Sequence, residues 1–443
     1  MLVVERCSLK DPLPLTDAIP MLVYGWKKTG VWPTDAPNTV PVTMPVNVID
    51  NRPIVCLEFF SGIGGLHYGL QQSGTPGKVV MSFDMNENAN TVYEHNFGYR
   101  PNNKAIDYLE LQDIDRHKAN CWLLSPPCQP YTRGGKYLDD QDPRARGLIH
   151  LLQLLPQLKN TPDYLLLENV MNFENSRSRT MLVTTLGHLG FKVYEFLLSP
   201  VQLGIPNSRL RYFLVARREW PRPPSSSAED SDELEAYDAW VAANKQRTDE
   251  YLQRGRDAVY TQWPIDLATG SVPANAADIA LEPLASYIDL AANDDPLLLV
   301  PEVYILKRKS LEFDIVRTSS PSTSTFTKAY GSKHLIGSGS LLQTKRLDVV
   351  ENGFKSPERL LDLGLRFFSP KEVALLHHFP YVEGKSQSDA AEDPQGETAV
   401  PGYTLNFPSS TTQKQRLQLL GNSLNVKVVA ELLKQVLFSD TIR

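Results

Sequence analysis

Cysteine is scarce in this sequence: four residues in 443, at Cys7, Cys56, Cys121 and Cys128. Their spacing is neither paired nor of the kind that grips zinc, which excludes a disulfide scaffold and leaves no metal expected. A reducing compartment is the expectation. Long apolar runs are missing: no stretch reaches the ~18 residues of a membrane helix, so no membrane partner is expected. The first residues lack the charged-then-apolar order of a secretory leader. Excess positive charge is missing as well. The formal net charge is −6 and the pI is about 5.8, whereas domains that coat nucleic acid usually lie above ~9. Any nucleic-acid contact should be local, one folded substrate held at one basic cleft. No Walker lysine follows a glycine turn, and no internal repeat is visible.

What is present has the order of an α/β fold. A chain of this length implies two or three domains, or one large domain with insertions. Residues 1–52, rich in Pro, Val and Thr, form an N-terminal extension. PIVCLEFF (53–60) has the length and composition of a buried parallel strand; SGIGG (61–65) ends it and LHYGLQQS begins a helix. KVVMSFDMN (78–86) is a second strand ending in Asp84, and ENANTVYEHNF a helix. ANCWLLSPP is a strand running into a loop, GLIHLLQLLPQL an amphipathic helix and DYLLLENV another buried strand. Such alternation over 53–218 predicts an open, mostly parallel sheet. Composition changes after Arg218, where PRPPSSSAEDSDELE is Pro- and Ser-rich and then acidic. Residues 219–365 are taken as an insertion and a smaller irregular domain. Residues 366–443 are taken as a return to the first domain, broken by a polar insertion at 382–405.

Four places could carry chemistry. The SGIGG turn lets backbone approach a ligand at the carboxyl end of the first strand, and Asp84, about 20 residues on, could bond ribose hydroxyls. Read alone, the pair fits a tight turn with a helix cap equally well. In SPPCQPYTRGG (125–135) two prolines stiffen the loop that carries Cys128, which suits a reactive thiol more than a packed one. Cys56 and Cys121 lie within or at the start of apolar strands and are read as structural. Glu168 ends a buried strand, where a carboxylate is costly unless paired or functional; a helix-capping acid is the other reading. Arg209 and Arg211, two apart, would share one face of a strand, as a site for an electron-rich group or as a surface salt-bridge pair.

Taken in order, FFSGIGG, the Asp84 strand, SPPCQP, ENV, NSRLR and LLGNSLNVKVVA resemble the motif series of the cytosine-5 DNA methyltransferase family. YEFLLSPVQLGIPNSRLRYFLVA, FTKAYGSKHLIGSGSLLQT and LRFFSPKEVALL resemble its tRNA-methylating branch, which acts on cytosine 38 in the anticodon loop of aspartate tRNA. The resemblance covers about 53–217 and 300–436. It implies an α/β, Rossmann-like class I methyltransferase with a mostly parallel seven-stranded sheet and a smaller target-recognition domain. It also implies S-adenosyl-L-methionine as cofactor, S-adenosyl-L-homocysteine as product, tRNA as partner, and a monomer in the cytoplasm or nucleus.

By the same resemblance Cys128 is the nucleophile, Glu168 the acid that holds the cytosine, and Arg209 and Arg211 the target-site arginines. Phe59, Ile63, Gly64 and Gly65 belong to the methionine-binding turn and Asp84 binds ribose. Ile106 and Asp107 lie beside the adenine, and Ser125, Asn422 and Ser423 supply further cofactor contacts. Arg133, Lys136, Lys328 and Lys371 are candidate phosphate contacts, or ordinary surface charge. Two positions depart from the branch: Thr325 stands where it has Cys, and Met171 where it has Lys after ENV. Both bear on RNA affinity or rate. The alternatives are a DNA cytosine methyltransferase, against which the acidic balance weighs because duplex binding needs many phosphate contacts, and a catalytically weak RNA-binding homologue.

Overall fold

Seven short segments, most of them continuous apolar runs, assemble into one sheet. The computed structural model describes residues 52–131, 138–218, 231–267, 269–273, 279–307, 313–349, 357–381 and 404–439. The strands are β1 (Ile54–Phe59), β2 (Gly77–Phe83), β3 (Cys121–Leu124), β4 (Tyr164–Val170), β5 (Phe191–Leu198), β6 (Arg211–Arg218) and β7 (Val259–Tyr260). They lie in the order β2-β1-β3-β4-β6-β5-β7. β6 runs antiparallel to both neighbours and every other pair is parallel. The mostly parallel seven-stranded sheet expected from the sequence is therefore present. The chain passes from β1 outward to β2, then crosses to β3 on the other side of β1. The crevice at the carboxyl ends of β1 and β3 is thus the topological switch point, where open α/β sheets bind ligands.

Helices cover both faces: α1 (Gly65–Gln72), α2 (Glu87–Phe97), α3 (Leu111–Asp115), α4 (Arg146–Leu154), α5 (Arg177–His188) and α6 (Ser231–Gln253). Their ends follow local chemistry. Asn86 caps α2 through its side chain, which accepts from Asn88 N and Ala89 N, and Gly98 stops it with φ 75°. α6 and β7 were placed by sequence in the 219–365 insertion, but they build onto the sheet. Gly187 of α5 has no side chain to hold Thr248 of α6 away, Asn244 donates to the Gly187 carbonyl, and Glu195 of β5 pairs with Val259.

A second, three-stranded sheet comprises β8 (Ile315–Val316), β9 (Leu341–Gln343) and β10 (Leu365–Arg366). With it pack α7 (Glu302–Leu306), α8 (Glu358–Leu361) and α9 (Pro370–Leu376). The boundary expected at 365/366 thus falls inside β10. α10 (Gln413–Gly421) and α11 (Val426–Leu432) bring the chain back to α1, where Gly69 lets Val429 in closely. The core of this smaller part is continuous with Ile63, Tyr68 and Val92 near the glycine turn. Among the described residues no helix is long and apolar enough to cross a membrane.

The smaller part is fastened by one fully buried ion pair. Arg366 donates to both oxygens of Glu372, at 2.8 and 2.7 Å, and to Asn293 Oδ1 at 2.9 Å. Glu372 also accepts from Ser369 N, closing a capping box on α9. Removing one partner strands a charge in the core. Arg366→Ala should destabilise the protein by about 3–5 kcal/mol, read as a lowered urea midpoint with an unchanged slope.

Candidate active site

The first wall of the crevice is the turn after β1. Phe59 is fully buried and stacks on Phe83 with ring centroids 5.1 Å apart, so its side chain is core; only its backbone faces the turn. The chain then enters left-handed conformations at Phe60 (φ 58°), Gly62 (54°) and Gly64 (87°). Gly64 is required twice over, by its φ and because a Cβ would overlap the Phe97 ring. The turn is pinned by Asp84, one residue beyond β2, whose Oδ2 accepts from Gly62 N at 2.8 Å while Oδ1 accepts from Asn86 N at 2.7 Å. Burial pushes the Asp84 carboxyl up, opposed by those two N–H groups and by the charge of Lys328.

Beneath the turn lies a group the sequence reading passed over. Glu58 is fully buried in β1, accepting from His67 N at 3.2 Å and from the Tyr93 hydroxyl at 2.9 Å. Burial pushes it up to about 8. The one charged residue in the apolar run LEFF was the available signal.

The second wall is the loop after β3. Ser125 N donates to Phe59 O at 3.2 Å, which ties the loop to β1, and Asn169 Nδ2 donates to Pro126 O at 3.2 Å, which ties it to β4. Cys128 is half-buried at the crevice, while Cys56 and Cys121 are buried register partners on β1 and β3. Glu168 lies buried on β4. The Ser125 hydroxyl donates to its Oε2 at 3.0 Å, and Arg211 Nε stands 3.7 Å from its Oε1. Burial raises the Glu168 carboxyl; Arg211, Arg209 and Ser125 oppose that. The Cys128 thiol is also pushed up, by burial and by Glu168, while Arg211 and Arg209 pull it down. The charge of Arg144 also couples to Cys128, and Asp142 holds that guanidinium at 2.9 and 2.7 Å.

The two arginines divide their tasks. β6 begins at Arg211, so Arg209 precedes the strand, yet the charges of both act on Glu168 and Cys128. Arg209 is buried in the junction between the two parts of the molecule: Nη1 donates to Phe326 O at 2.7 Å and Nη2 to Ser423 O. Burial and Arg211 pull it down to about 9. The segment around it is stitched to the smaller part, with Ser208 N donating to Thr323 O at 2.7 Å and Asn207 Nδ2 to Ser324 O at 3.0 Å.

The remaining sequence candidates fall as follows. Ser125 serves Glu168 directly. Ile63 and Ile106 are buried, and Asp107 is half-exposed at the surface of the same one-turn helix as Ile106. Ser423 approaches Gly65, and Asn422 is exposed. Lys328, expected at a phosphate, is exposed with its charge acting on Asp84. Lys371 donates to Asp289 at 2.9 Å. The Thr325 hydroxyl donates to Ser208 O at 2.9 Å, and Met171 packs half-buried on the main core. Arg133, Lys136 and Cys7 lie outside the described residues.

Comparison with known proteins completes the picture. The profile of the C-5 cytosine-specific DNA methylase family matches residues 54–267. The tRNA (cytosine(38)-C(5))-methyltransferase of Bos taurus is 37% identical over 413 residues, covering 86% of this chain and 99% of its own. The chain belongs to the cytosine-5 methyltransferase family. A protein from Dictyostelium discoideum named DNA (cytosine-5)-methyltransferase is 36% identical over 391 residues, covering 85% of this enzyme and 93% of its own length. A solved Spodoptera frugiperda DNMT2 variant is 35% identical, with a TM-score of 0.61, and covers 87% of this enzyme and 100% of that chain. The resemblance read from the ordered motifs is thereby borne out, and the enzyme's fold is that of the family.

Proposed function

We propose that this enzyme transfers a methyl group from S-adenosyl-L-methionine to carbon 5 of cytosine 38 in the anticodon loop of aspartate tRNA, through a covalent adduct on Cys128. The observation that carries this is the convergence of Cys128, Glu168 and Arg211 across the switch-point crevice from the Asp84-pinned turn. The names of the relatives support tRNA as the substrate, as does the acidic net charge.

The crevice suits an adenosyl ligand. The space beside Gly62 is open, with no atom within 4 Å of where a Cβ would stand. Ser61 Oγ is buried without a hydrogen-bond partner among the described residues. Asp84 is poised for ribose hydroxyls, since each carboxylate oxygen can accept more than one bond. Met85, after Asp84, and Tyr108, after Asp107, are 64% and 71% exposed, apolar surface of the kind an adenine covers. Ile63, Gly64, Gly65, Ile106, Asn422 and Ser423 would complete the cradle; Phe59 contributes backbone alone. When bound, the cofactor supplies an electrophilic sulfonium methyl.

The chain's own residues make carbon 5 able to take that methyl. The Cys128 thiolate adds to carbon 6 and shifts electron density to carbon 5. Glu168, whose carboxyl is raised by burial, donates in its protonated form to ring nitrogen 3 where charge builds up. Arg211 donates to the ring carbonyl oxygen, and Arg209 holds the junction and adds its field. Loss of the carbon 5 proton to solvent and expulsion of the thiolate restore the aromatic ring. The base must leave its stack to meet the thiol, and an anticodon-loop base does so more readily than one in a duplex. Lys328 is assigned to the RNA backbone near the pocket.

Methyl-labelled cofactor with tRNA and with duplex DNA tests the reading. Label should enter aspartate tRNA and vanish when position 38 is uridine. Label entering DNA alone would favour the reading carried by the Dictyostelium relative's name, and transfer to neither would remove both.

A further inference from the structure

Ser125, directly after β3, stands where three segments meet. Its backbone N donates to Phe59 O at 3.2 Å, which joins it to β1 beside the glycine turn. Its half-buried hydroxyl donates to Glu168 Oε2 at 3.0 Å, across to β4. The next residue of each segment repeats the link in the opposite sense, Asn169 Nδ2 donating to Pro126 O at 3.2 Å. Two side-chain hydrogen bonds thus hold residues 125–126 against residues 168–169. They leave the two oxygens of Glu168 unlike. Oε2 accepts from Ser125, while Oε1 has no hydrogen bond among the described residues, Arg211 Nε standing 3.7 Å away. A hydroxyl carries one donor, so Ser125 cannot also donate to a cofactor, the contact that the sequence resemblance implies for it.

We infer that Ser125 is a positioning residue for Glu168, its hydroxyl fixing Oε2 as the accepting oxygen so that the carboxyl proton rests on Oε1 and meets ring nitrogen 3. A protonated carboxyl has one carbonyl oxygen and one hydroxyl oxygen, and an O–H donor is better received by the carbonyl oxygen. The Ser125 bond therefore settles which oxygen is which. Oε1 is also the oxygen nearer Arg211. Ring nitrogen 3 adjoins the carbonyl that Arg211 is assigned to hold, so a proton on Oε1 faces the atom where charge builds up. Without the Ser125 hydroxyl the carboxyl turns more freely about its last bond, a broad two-fold torsion. The orientation that sets an accepting oxygen against the nitrogen lone pair then becomes accessible, and it is unproductive.

The inference rests on the proposed role of Glu168, so its test reads activity and a spectrum separately. Ser125→Ala removes the hydroxyl and keeps the backbone bond to Phe59, with Ser125→Val as the substitute if the first does not fold; Ser125→Thr keeps the hydroxyl. The Ala variant should lose between about tenfold and 10²-fold in kcat, with KM for tRNA and the Kd for S-adenosyl-L-homocysteine within about twofold. Donation from Ser125 favours the ionised carboxylate, so its loss pushes the carboxyl further up. The alkaline fall of the rate should therefore move to higher pH even as the plateau drops, which a merely structural role would not produce. The Thr variant should restore both. Independently of methyl transfer, the carboxyl band that Glu168→Gln removes from the pH-difference infrared spectrum belongs to Glu168. A bond donated to the carbonyl oxygen lowers that stretch, so the band should move to higher wavenumber in the Ala variant and return in the Thr variant. An unchanged kcat and an unmoved band in a folded Ala or Val variant overturn the inference. So does a weakened Kd for S-adenosyl-L-homocysteine with kcat at saturation unchanged, which would assign the hydroxyl to the cofactor. A wild-type protein that methylates no RNA, yet shows the band shift, overturns the proposed function and leaves the orientation of Glu168 by Ser125 standing.

Discussion

Cys128→Ser should abolish methyl transfer, lowering kcat by at least about 10⁴-fold while tRNA binding persists. The size follows from what the thiol does. Carbon 5 of cytosine attacks nothing until a nucleophile has added at carbon 6, so every later step waits on that bond. A serine hydroxyl in the same place is far harder to ionise: among the described residues the groups acting on the site are a carboxyl, too weak a base for an alcohol, and the cations Arg211 and Arg209. The same arginines oppose, without overcoming, the burial and the Glu168 charge that raise the Cys128 thiol, and a thiol still ionises far more readily than an alcohol. The loop is held by Ser125 N to Phe59 O and by Asn169 Nδ2 to Pro126 O, neither of which involves the sulfur. Loss of activity without loss of fold is the expected result. RNA carrying 5-fluorocytosine at the target position checks it directly. Wild-type protein should form an adduct that survives denaturing electrophoresis, because fluorine cannot leave as a proton does. The serine variant should form none.

Glu168→Gln should cost between about 10²- and 10⁴-fold and change the shape of the pH profile. The glutamine amide can reach toward ring nitrogen 3 but cannot pass it a proton. On the proposed mechanism the productive form pairs a protonated Glu168 with an ionised Cys128. Both groups are raised by burial, and the Glu168 charge raises the thiol further. Raising the pH creates thiolate and removes the carboxyl proton. The rate therefore rises, levels off and falls, with the alkaline fall setting in once both groups have ionised. In the glutamine variant no carboxyl opposes the thiol, so the small remaining rate should climb to the thiol's own pKa and stay there. Single-turnover rates with saturating tRNA from pH 6 to pH 10 decide this. An alkaline fall that survives in the variant would take the proton donor role away from Glu168.

Particular residues show how far the sequence reaches. The strand, glycine turn and helix around residues 53–72 were legible because strand length, left-handed glycines and helical periodicity are properties of consecutive residues. Cys128 and Glu168 were legible because a proline-stiffened loop and an acid closing a buried strand are unusual locally. The partition between Arg209 and Arg211 was not legible. A spacing of two implies one strand face only if the strand spans both, and β6 starts at Arg211 because the preceding segment pairs with Thr323 instead. Phe59 read as a ligand contact because it abuts the turn, yet the register of β1 aims it into the core against Phe83. The place of α6 and β7 against the sheet was hidden, because it depends on contact with Gly187 and Glu195, far off along the chain.

The sequence by itself determined the groups on offer: a glycine turn, a thiol on a proline-stiffened loop, an acid closing a buried strand and a pair of arginines, in the order of a known family. These depend on residue identity and on neighbours a few positions away. The tertiary structure alone decided which of those groups touch. The Ser125–Glu168 bond, the Arg211–Glu168 approach and the Arg209 bonds to Phe326 and Ser423 all join segments dozens to hundreds of residues apart. Hydrogen bonds and desolvation act over a few ångströms of space, so the partner a side chain finds is set by packing, and no local pattern in the sequence records it.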